Sequence, residues 1–476
     1  MNPSAVSAFN NRWDAKVERM SQQAAEPALV NAWSTESTVP FFRVGNYAPV
    51  FDELTTFDLP VEGAIPPELN GWYLRNGPNP RRGHETPHWF TGDGMIHGVR
   101  LENRHAAWYR NRWVRTDSFD KPLPLYKSDG TRDLHASTAN TSVINHAGKT
   151  LALVESSLPY QITNELETLG AYDFGGKLVD SMTAHPKVCP RTGELHFFGY
   201  GSLTSPYVTY HRANASGELI VNRGVDVPGL TMMHDFAVSA EHVVFMDLPV
   251  VFRLDIARNR PHDLPYRWSD DYRARLGVLR RDDPYGPIRW FDIDPCFVFH
   301  VLNAFDKTTD DGKAIVLEAA RYPELWRDDG SPGFDAVMWS WTINLTRGTI
   351  TEQQIDERAV EFPRIDDRRA GMPARYGVTV GSGKLVRYDL EHGTAEEHSF
   401  GTVTEPGGPG EAVFAPAAPD SAEDDGYVMA FVHNPDRGAA DLVILAAQDF
   451  TAEPVARIHL PARVPLGFHG NWIPDH

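Results

Sequence analysis

From about residue 51 onward, short runs of β-branched and aromatic residues alternate with clusters of Gly, Pro, Asn and Asp. Residues 150–154, 194–200, 207–211, 242–247, 314–318, 427–433, 441–446 and 455–460 are such runs. Apolar runs of this length, closed off by turn formers, are the signature of strands. Helical periodicity is scarce. One stretch, residues 269–279, fits a helix. Another, residues 5–25, places Phe9, Trp13, Val17 and Met20 on one apolar helical face. The text is not that of an alternating α/β fold. Many short strands in one large unit indicate a sandwich, a barrel or a propeller, and the expectation is all-β, with residues 1–40 a helical extension and 41–476 a single domain. No internal repeat is sharp enough to count blades.

Composition narrows the function classes. With 41% hydrophobic and 11% aromatic residues in 476, the chain can bury a sizeable core. Its 38 Gly and 36 Pro are dispersed as turn punctuation, so they do not signal disorder. A formal charge of −19 argues against nucleic acid and repels anionic lipid, leaving at most a weak peripheral membrane contact. The 2 cysteines, Cys189 and Cys296, exclude a disulfide scaffold and a thiolate zinc cluster. The first residues have no basic segment followed by an apolar run of the signal-peptide kind, and no stretch reaches membrane-span length. The expected location is the cytoplasm. Oligomeric state is left open.

Candidate chemistry lies in histidines. His185, His234, His300 and His469 each sit in a compact apolar or turn-forming segment: Thr-Ala-His-Pro-Lys, Met-Met-His-Asp-Phe, Phe-Val-Phe-His-Val and Gly-Phe-His-Gly-Asn. One such residue would be an ordinary core histidine. Four invite a shared metal, since imidazole suits iron, copper and zinc. His185 and His234 are 49 positions apart, close to the ~40–50 residues of one propeller blade. Ligands from successive blades meet on the central axis, which favours a propeller. Four neutral imidazoles leave a cation's charge uncompensated, and metal-bound imidazoles commonly donate their other N–H to a carboxylate. Glu155, Glu361 and Glu411 occupy similarly apolar or turn-rich settings and are candidates; the alternative is pairing with arginine, as Glu361 with Arg364. Zinc with four histidines would be a closed structural site. Iron accepts octahedral coordination and keeps two positions open, so iron is favoured.

Taken together, several segments resemble the carotenoid cleavage oxygenase family from about Pro49 to Pro474. They are Tyr-Leu-Arg-Asn-Gly-Pro-Asn-Pro (73–80), Trp-Phe-Thr-Gly-Asp-Gly-Met-Ile-His (89–97), Tyr-Arg-Asn-Arg-Trp-Val-Arg-Thr (109–116), Asn-Thr (140–141), Thr-Ala-His-Pro-Lys (183–187), Met-Met-His-Asp-Phe (232–236), Phe-His-Val-Leu-Asn-Ala-Phe (299–305), Glu-Phe-Pro-Arg-Ile-Asp (361–366) and Val-Pro-Leu-Gly-Phe-His-Gly-Asn-Trp (464–472). Each alone is weak; their order and number carry the resemblance. It implies a seven-bladed β-propeller with a dome of loops and a few helices over an axial non-haem Fe(II). The ligands it implies are His185, His234, His300 and His469, with Glu155, Glu361 and Glu411 holding their far nitrogens. Thr141 matches a threonine whose methyl crowds one open iron position. His97 recurs in the family without being a ligand and reads as structural.

The implied reaction is oxidative cleavage of an alkene C=C by O2 to two carbonyl products, with a hydrophobic small molecule as substrate. Two substrate classes follow: carotenoids or apocarotenoids, and stilbenoids or phenylpropenes. In hydroxystilbene-cleaving members a lysine directly before the first of those glutamates engages the phenol. Here that position is Val154, and a helping tyrosine is replaced near Phe119. Phe119, Val154, Phe305 and Tyr322 are the candidate pocket residues. A valine cannot stabilise a phenolate, which favours a polyene. The polar segment from Asp255 lacks the apolar patch of membrane-dipping relatives and points to a smaller substrate such as an apocarotenoid. A rival of another class is a propeller that only binds partners, its histidines in the core. A propeller hydrolase with calcium or zinc fits four imidazoles poorly.

Overall fold

Among the described residues, seven antiparallel sheets of four or five strands surround one axis, and Val250–Phe252 with Tyr266–Trp268 form an eighth, two-stranded sheet beside them. The computed structural model describes residues 39–84, 86–260, 263–328, 335–401 and 408–475. The helix expected over residues 5–25 lies outside the described residues. In chain order the sheets form blades I to VII, at 142–171, 187–225, 236–292, 297–354, 361–399, 413–459 and 470–474. Each blade steps outward strand by strand from an inner strand that meets its neighbours at the axis. Two blades borrow strands from early in the chain. Val61–Gly63 pairs with Ala456–His459 at the outer edge of blade VI. Gly71–Pro78 pairs with Gly470–Pro474 in blade VII, Arg75 opposite Gly470. Hydrogen bonding thus closes the ring at two places, where open strand edges would otherwise be exposed.

The strand expectations hold at all eight runs. The blades pack face to face through alternating large apolar residues; Phe198, Tyr210, Phe236, Phe245 and Phe297 belong to one continuous cluster spanning blades II to IV. The helix expected over 269–279 is not there. That stretch is a turn followed by the strand Arg275–Arg280, which pairs with His242–Asp247. Tertiary partners decide it: the Arg275 Nε lies 2.7 Å from the buried Asp247 carboxylate, and Tyr272 donates to the same group at 2.7 Å. Among the described residues the single α-helix is Leu254–Asn259, in the segment read as short and polar.

One core residue is at odds with its setting. Glu318, in the strand Gly312–Tyr322, is buried between the neighbouring strands, and its Oε2 has no hydrogen-bond partner. Burial pushes its pKa up to about 7. The unfolded chain ionises first, so stability falls as pH rises from the ordinary carboxylate range to about 7, by about 3 kcal/mol at most. Glu318→Gln is therefore expected to melt higher than the parent at about pH 8 and to lose most of that advantage at about pH 5. Equal melting differences at both pH values would mean that the carboxyl is ionised in the folded protein.

Candidate metal centre

All seven inner strands bring a candidate site residue to the same end of the axis. Thr141, His185, His234, Glu411 and His469 lie one or two positions before the inner strands of blades I, II, III, VI and VII; Glu361 begins that of blade V, and His300 sits within that of blade IV. The chain at these points is leaving a turn to enter a strand, so each side chain projects into the space that the ring encloses. Where the strand has already begun, the backbone is distorted. The register shifts between Val298 and Val301 around His300, and again between Glu361 and Arg364. Bulges of this kind re-aim a side chain. Phe362, beside Glu361, has a φ of 52°, a left-handed conformation that costs a phenylalanine about 1–3 kcal/mol. Its ring stacks on His300 at 5.0 Å and meets His469 at 5.4 Å.

The four imidazoles converge. The His185 and His234 rings are 4.5 Å apart, and His469 lies 4.5 Å from His185 and 4.7 Å from His300. His185, His234 and His300 each place a ring nitrogen within 4.8 Å of the others. Three of the four meet a carboxylate at Nδ1: His234 with Glu155 at 2.8 Å, His300 with Glu361 at 2.5 Å, and His469 with Glu411 at 2.9 Å. At His300 and His469 the carboxylate is hydrogen-bonded to Nδ1, which holds the proton there and leaves the Nε2 lone pair free, whereas Glu155 approaches His234 closely without hydrogen-bond geometry. The Nε2 of His300 is accordingly buried without a hydrogen-bond partner, and those of His185 and His234 face each other at 2.9 Å. A buried, partnerless Nε2 on His300 beside two more that meet only each other suits a cation there.

Electrostatics agree. Burial, reinforced by the neighbouring imidazoles, holds the His185 pKa well below its ordinary value, and burial lowers that of His469 to about 4 against the opposing pull of Glu411. Burial also opposes protonation of His300, but the Glu361 carboxylate outweighs it and raises the pKa. The Glu411 carboxyl is lowered to about 2: burial opposes ionisation, and His469, Arg364 and the Gly470 N–H prevail. Two neutral imidazoles, His185 and His469, and the ionised Glu411 are in the forms that metal binding requires, whereas the raised pKa of His300 works the other way, and a cation binding there would have to displace that proton. Arg364, offered above as an alternative partner for Glu361, is instead 3.1 Å from Glu411 and donates to the Gly470 carbonyl at 3.0 Å. Gly410 is needed beside it, because a Cβ there would come within 1.3 Å of the Arg75 guanidinium.

The Thr141 hydroxyl donates to Asn140 at 2.9 Å, and its carbonyl accepts the His469 N–H at 3.1 Å. With the hydroxyl tied down, the methyl is the end left free. Asn140 also binds the carbonyls of Phe90 and Gly92, anchoring the segment above the site. Rings from this and other segments of the chain gather here, and of them only Tyr322 is among the pocket candidates of the sequence. Phe299 meets His234 edge-on at 5.0 Å, then Tyr322 at 5.5 Å and Trp326 at 5.6 Å. Phe90 continues the path to Trp326 at 6.3 Å and Phe468 at 5.6 Å, and Phe468 meets Trp89 at 4.7 Å. Phe299 and Phe468 directly precede two of the converging histidines, which is the signal that would have found them.

The candidate pocket residues divide. Tyr322 is in this aromatic path, and burial together with the adjacent Glu361 raises its hydroxyl pKa well above the ordinary value. Val154 is buried beside Glu155. Phe119 is covered by the guanidinium of Arg81, 3.7 Å from its centroid, and by Arg115 at 5.1 Å. Phe305 lies five residues beyond His300 on the same strand, opposite Val316. His97 is buried and bonds the Tyr109 hydroxyl at 2.9 Å, a structural role. Glu361→Gln is expected to keep the fold and to lower turnover and metal affinity about 10–100-fold. Wild-type values for both would show that His300 does not depend on this carboxylate.

A family model described as retinal pigment epithelial membrane protein matches residues 47–474. The chain is 38% identical to a carotenoid cleavage oxygenase of Mycobacterium tuberculosis, over 94% of this chain and 100% of that one. The chain belongs to the carotenoid cleavage oxygenase family. A carotenoid 9,10(9',10')-cleavage dioxygenase 1 of Phaseolus vulgaris is 33% identical over 94% of this chain and 92% of its own. The crystal structure of Pseudomonas brassicacearum lignostilbene dioxygenase superposes with a TM-score of 0.82 at 29% identity, covering 93% of this chain and 100% of that one. A Synechocystis apocarotenoid oxygenase gives 0.78 at 25% identity, covering 90% and 98%. The protein is therefore an alkene-cleaving oxygenase of the dioxygenase type with the seven-bladed fold of its family. The family is of the non-haem iron type, and the histidine cluster is where this chain can hold a metal. Among the described residues no helix is long and apolar enough to cross a membrane.

Proposed function

We propose that the chain is an Fe(II)-dependent dioxygenase that cleaves a C=C bond of a linear polyene, an apocarotenoid being the best fit. His185, His234, His300 and His469 would hold the ion, and an Fe(II) ion so held supplies the activation of dioxygen. Glu361 and Glu411 keep two of these imidazoles in the tautomer that presents Nε2, and Glu155 lies beside a third. The Thr141 methyl narrows access to the cluster. The aromatic path from Phe299 to Phe468 binds the alkene, aligns it beside the histidines and keeps water away. The balance is one alkene and one O2 giving two carbonyl compounds, so no reductant and no protein acid or base is required.

The observation that carries the substrate reading is the pairing of that aromatic path with Val154. The path is apolar, and the position before Glu155 offers no cation to a phenolate. Two carotenoid-cleaving relatives, at 38% and 33%, are more similar in sequence than the lignostilbene enzyme at 29%, while the apocarotenoid oxygenase, at 25%, is less so. The two buried free thiols, Cys189 and Cys296, suit a reducing cytoplasm. The test is aerobic incubation of the Fe(II)-loaded protein with an apocarotenal and, separately, with resveratrol or isoeugenol. Aldehyde products are expected from the apocarotenal. Aldehyde from the phenolic alkenes alone would overturn the polyene reading, and no product from any alkene with one iron bound would overturn the oxygenase reading for this chain.

A further inference from the structure

An open space reaches the histidines without touching the aromatic path. It is a cavity of about 400 Å3 running among the inner strands, bounded by His185, His300 and His469 and reaching Val188 and Asp367. Those two residues are exposed, so the cavity meets solvent there. Its wall is largely apolar, with Val143, Val238, Leu302 and Ile365 among its residues, but unlike the aromatic path it also carries amides and charges. Asn145, Asn303 and Asn471 line it with amides. Asp235, Asp367 and Glu411 set three carboxylates against the two cations Lys187 and Arg364, an excess of one negative charge. Both cations are engaged: Lys187 Nζ lies 2.8 Å from Asp235, and Arg364 lies 3.1 Å from Glu411.

A divalent cation loses far more free energy on shedding its water than an apolar path can return. The aromatic side therefore admits an alkene and bars a hydrated ion. The cavity offers the reverse: amide and carboxylate oxygens, room for water, and a sign of charge that draws cations inward. We propose that this axial cavity is the route by which the metal ion enters and leaves the four-histidine cluster, separate from the path of the organic substrate. The proposal rests on the metal reading above and adds a direction of access to it. The route ends at the imidazoles of His185, His300 and His469, so an ion that arrives there exchanges water for nitrogen in place.

The test follows Co(II) uptake by metal-free protein in a stopped-flow instrument, reading the absorption band of the bound ion, and Co(II) loss to a chelator. Val188→Asp and Val188→Lys change only the charge at the exposed mouth. The first is expected to speed uptake about two- to threefold and the second to slow it by a similar factor at low ionic strength, both effects fading in about 1 M salt. Asn145→Phe narrows the cavity and is expected to slow uptake and loss together by about tenfold, leaving the equilibrium affinity within about twofold, because a constriction raises the barrier and not the end states. Should Asn145→Phe fail to fold, the Val188 pair alone decides. Uptake and loss unchanged by charge and by constriction would overturn the route. Uptake accelerated by Phe468→Ala on the aromatic side, with Val188 indifferent, would overturn it as well. A folded parent that takes up no Co(II) would instead overturn the metal reading beneath it.

Discussion

His300→Ala is expected to lose the bound metal and, with it, alkene cleavage, by on the order of a thousandfold or more, equivalent to about 4 kcal/mol of barrier. Two changes combine. The variant removes one of three ring nitrogens gathered within 4.8 Å. It also deprives Glu361, a buried carboxylate, of the imidazole 2.5 Å away. That carboxylate then keeps only the Phe362 N–H and the neighbouring Tyr322 hydroxyl as partners, and no imidazole is left for it to orient. Metal content by atomic absorption should fall to background while the far-ultraviolet circular dichroism stays that of the parent. A folded variant with one iron per chain and parental turnover would refute the assignment of His300. It would also favour the rival in which the histidines are ordinary core residues.

Arg364→Met should have the largest effect on stability. Arg364 supplies the charge opposite Glu411, which is itself almost fully buried, and also binds the Gly470 carbonyl in the strand that closes the ring. Removing one partner of a buried pair leaves the other uncompensated, at a cost of about 3–5 kcal/mol. Urea denaturation measures it. The double variant Arg364→Met with Glu411→Gln should recover part of the loss, since no lone charge then remains. The pH dependence follows from the carboxyl. Held at about 2 in the folded protein, Glu411 contributes stability above the ordinary carboxylate pKa that is lost as pH falls towards 2. In Arg364→Met this acid-side loss should shrink. A single variant within about 0.5 kcal/mol of the parent would show that Glu411 does not depend on Arg364.

Much of the site is legible in the sequence because its donors sit where turns pass into strands, beside residues such as Phe299 and Phe468 that mark a closed environment. The three glutamates are legible for the same reason. Their assignment is not: nothing in the spacing of Glu361 and Arg364 says that the arginine turns to Glu411 while Glu361 takes His300. Residues 269–279 illustrate the limit for the fold. Leu276, Val278 and Leu279 satisfy a helix or a strand equally, and the choice fell to Asp247, Tyr272 and the register with His242–Asp247, all supplied by the folded blade. The bulges at His300 and Glu361 left no trace in the text either. A register shift is a property of two strands, and only one of them is being read.

By itself, then, the chain determined an all-β fold, four imidazole donors, three carboxylates and the absence of a cation before Glu155, because these depend on residue type and local pattern. The tertiary structure decided which carboxylate lies at which imidazole, that the rings of Phe90, Trp326 and Phe468 gather beside the site, and that a cavity carrying amides and carboxylates reaches it without touching those rings. Such contacts join residues from separate blades, the Glu411–His469 pair being 58 positions apart and the Glu361–His300 pair 61. They exist only once the two borrowed strands have closed the ring and the seven inner strands have brought their first residues to one axis.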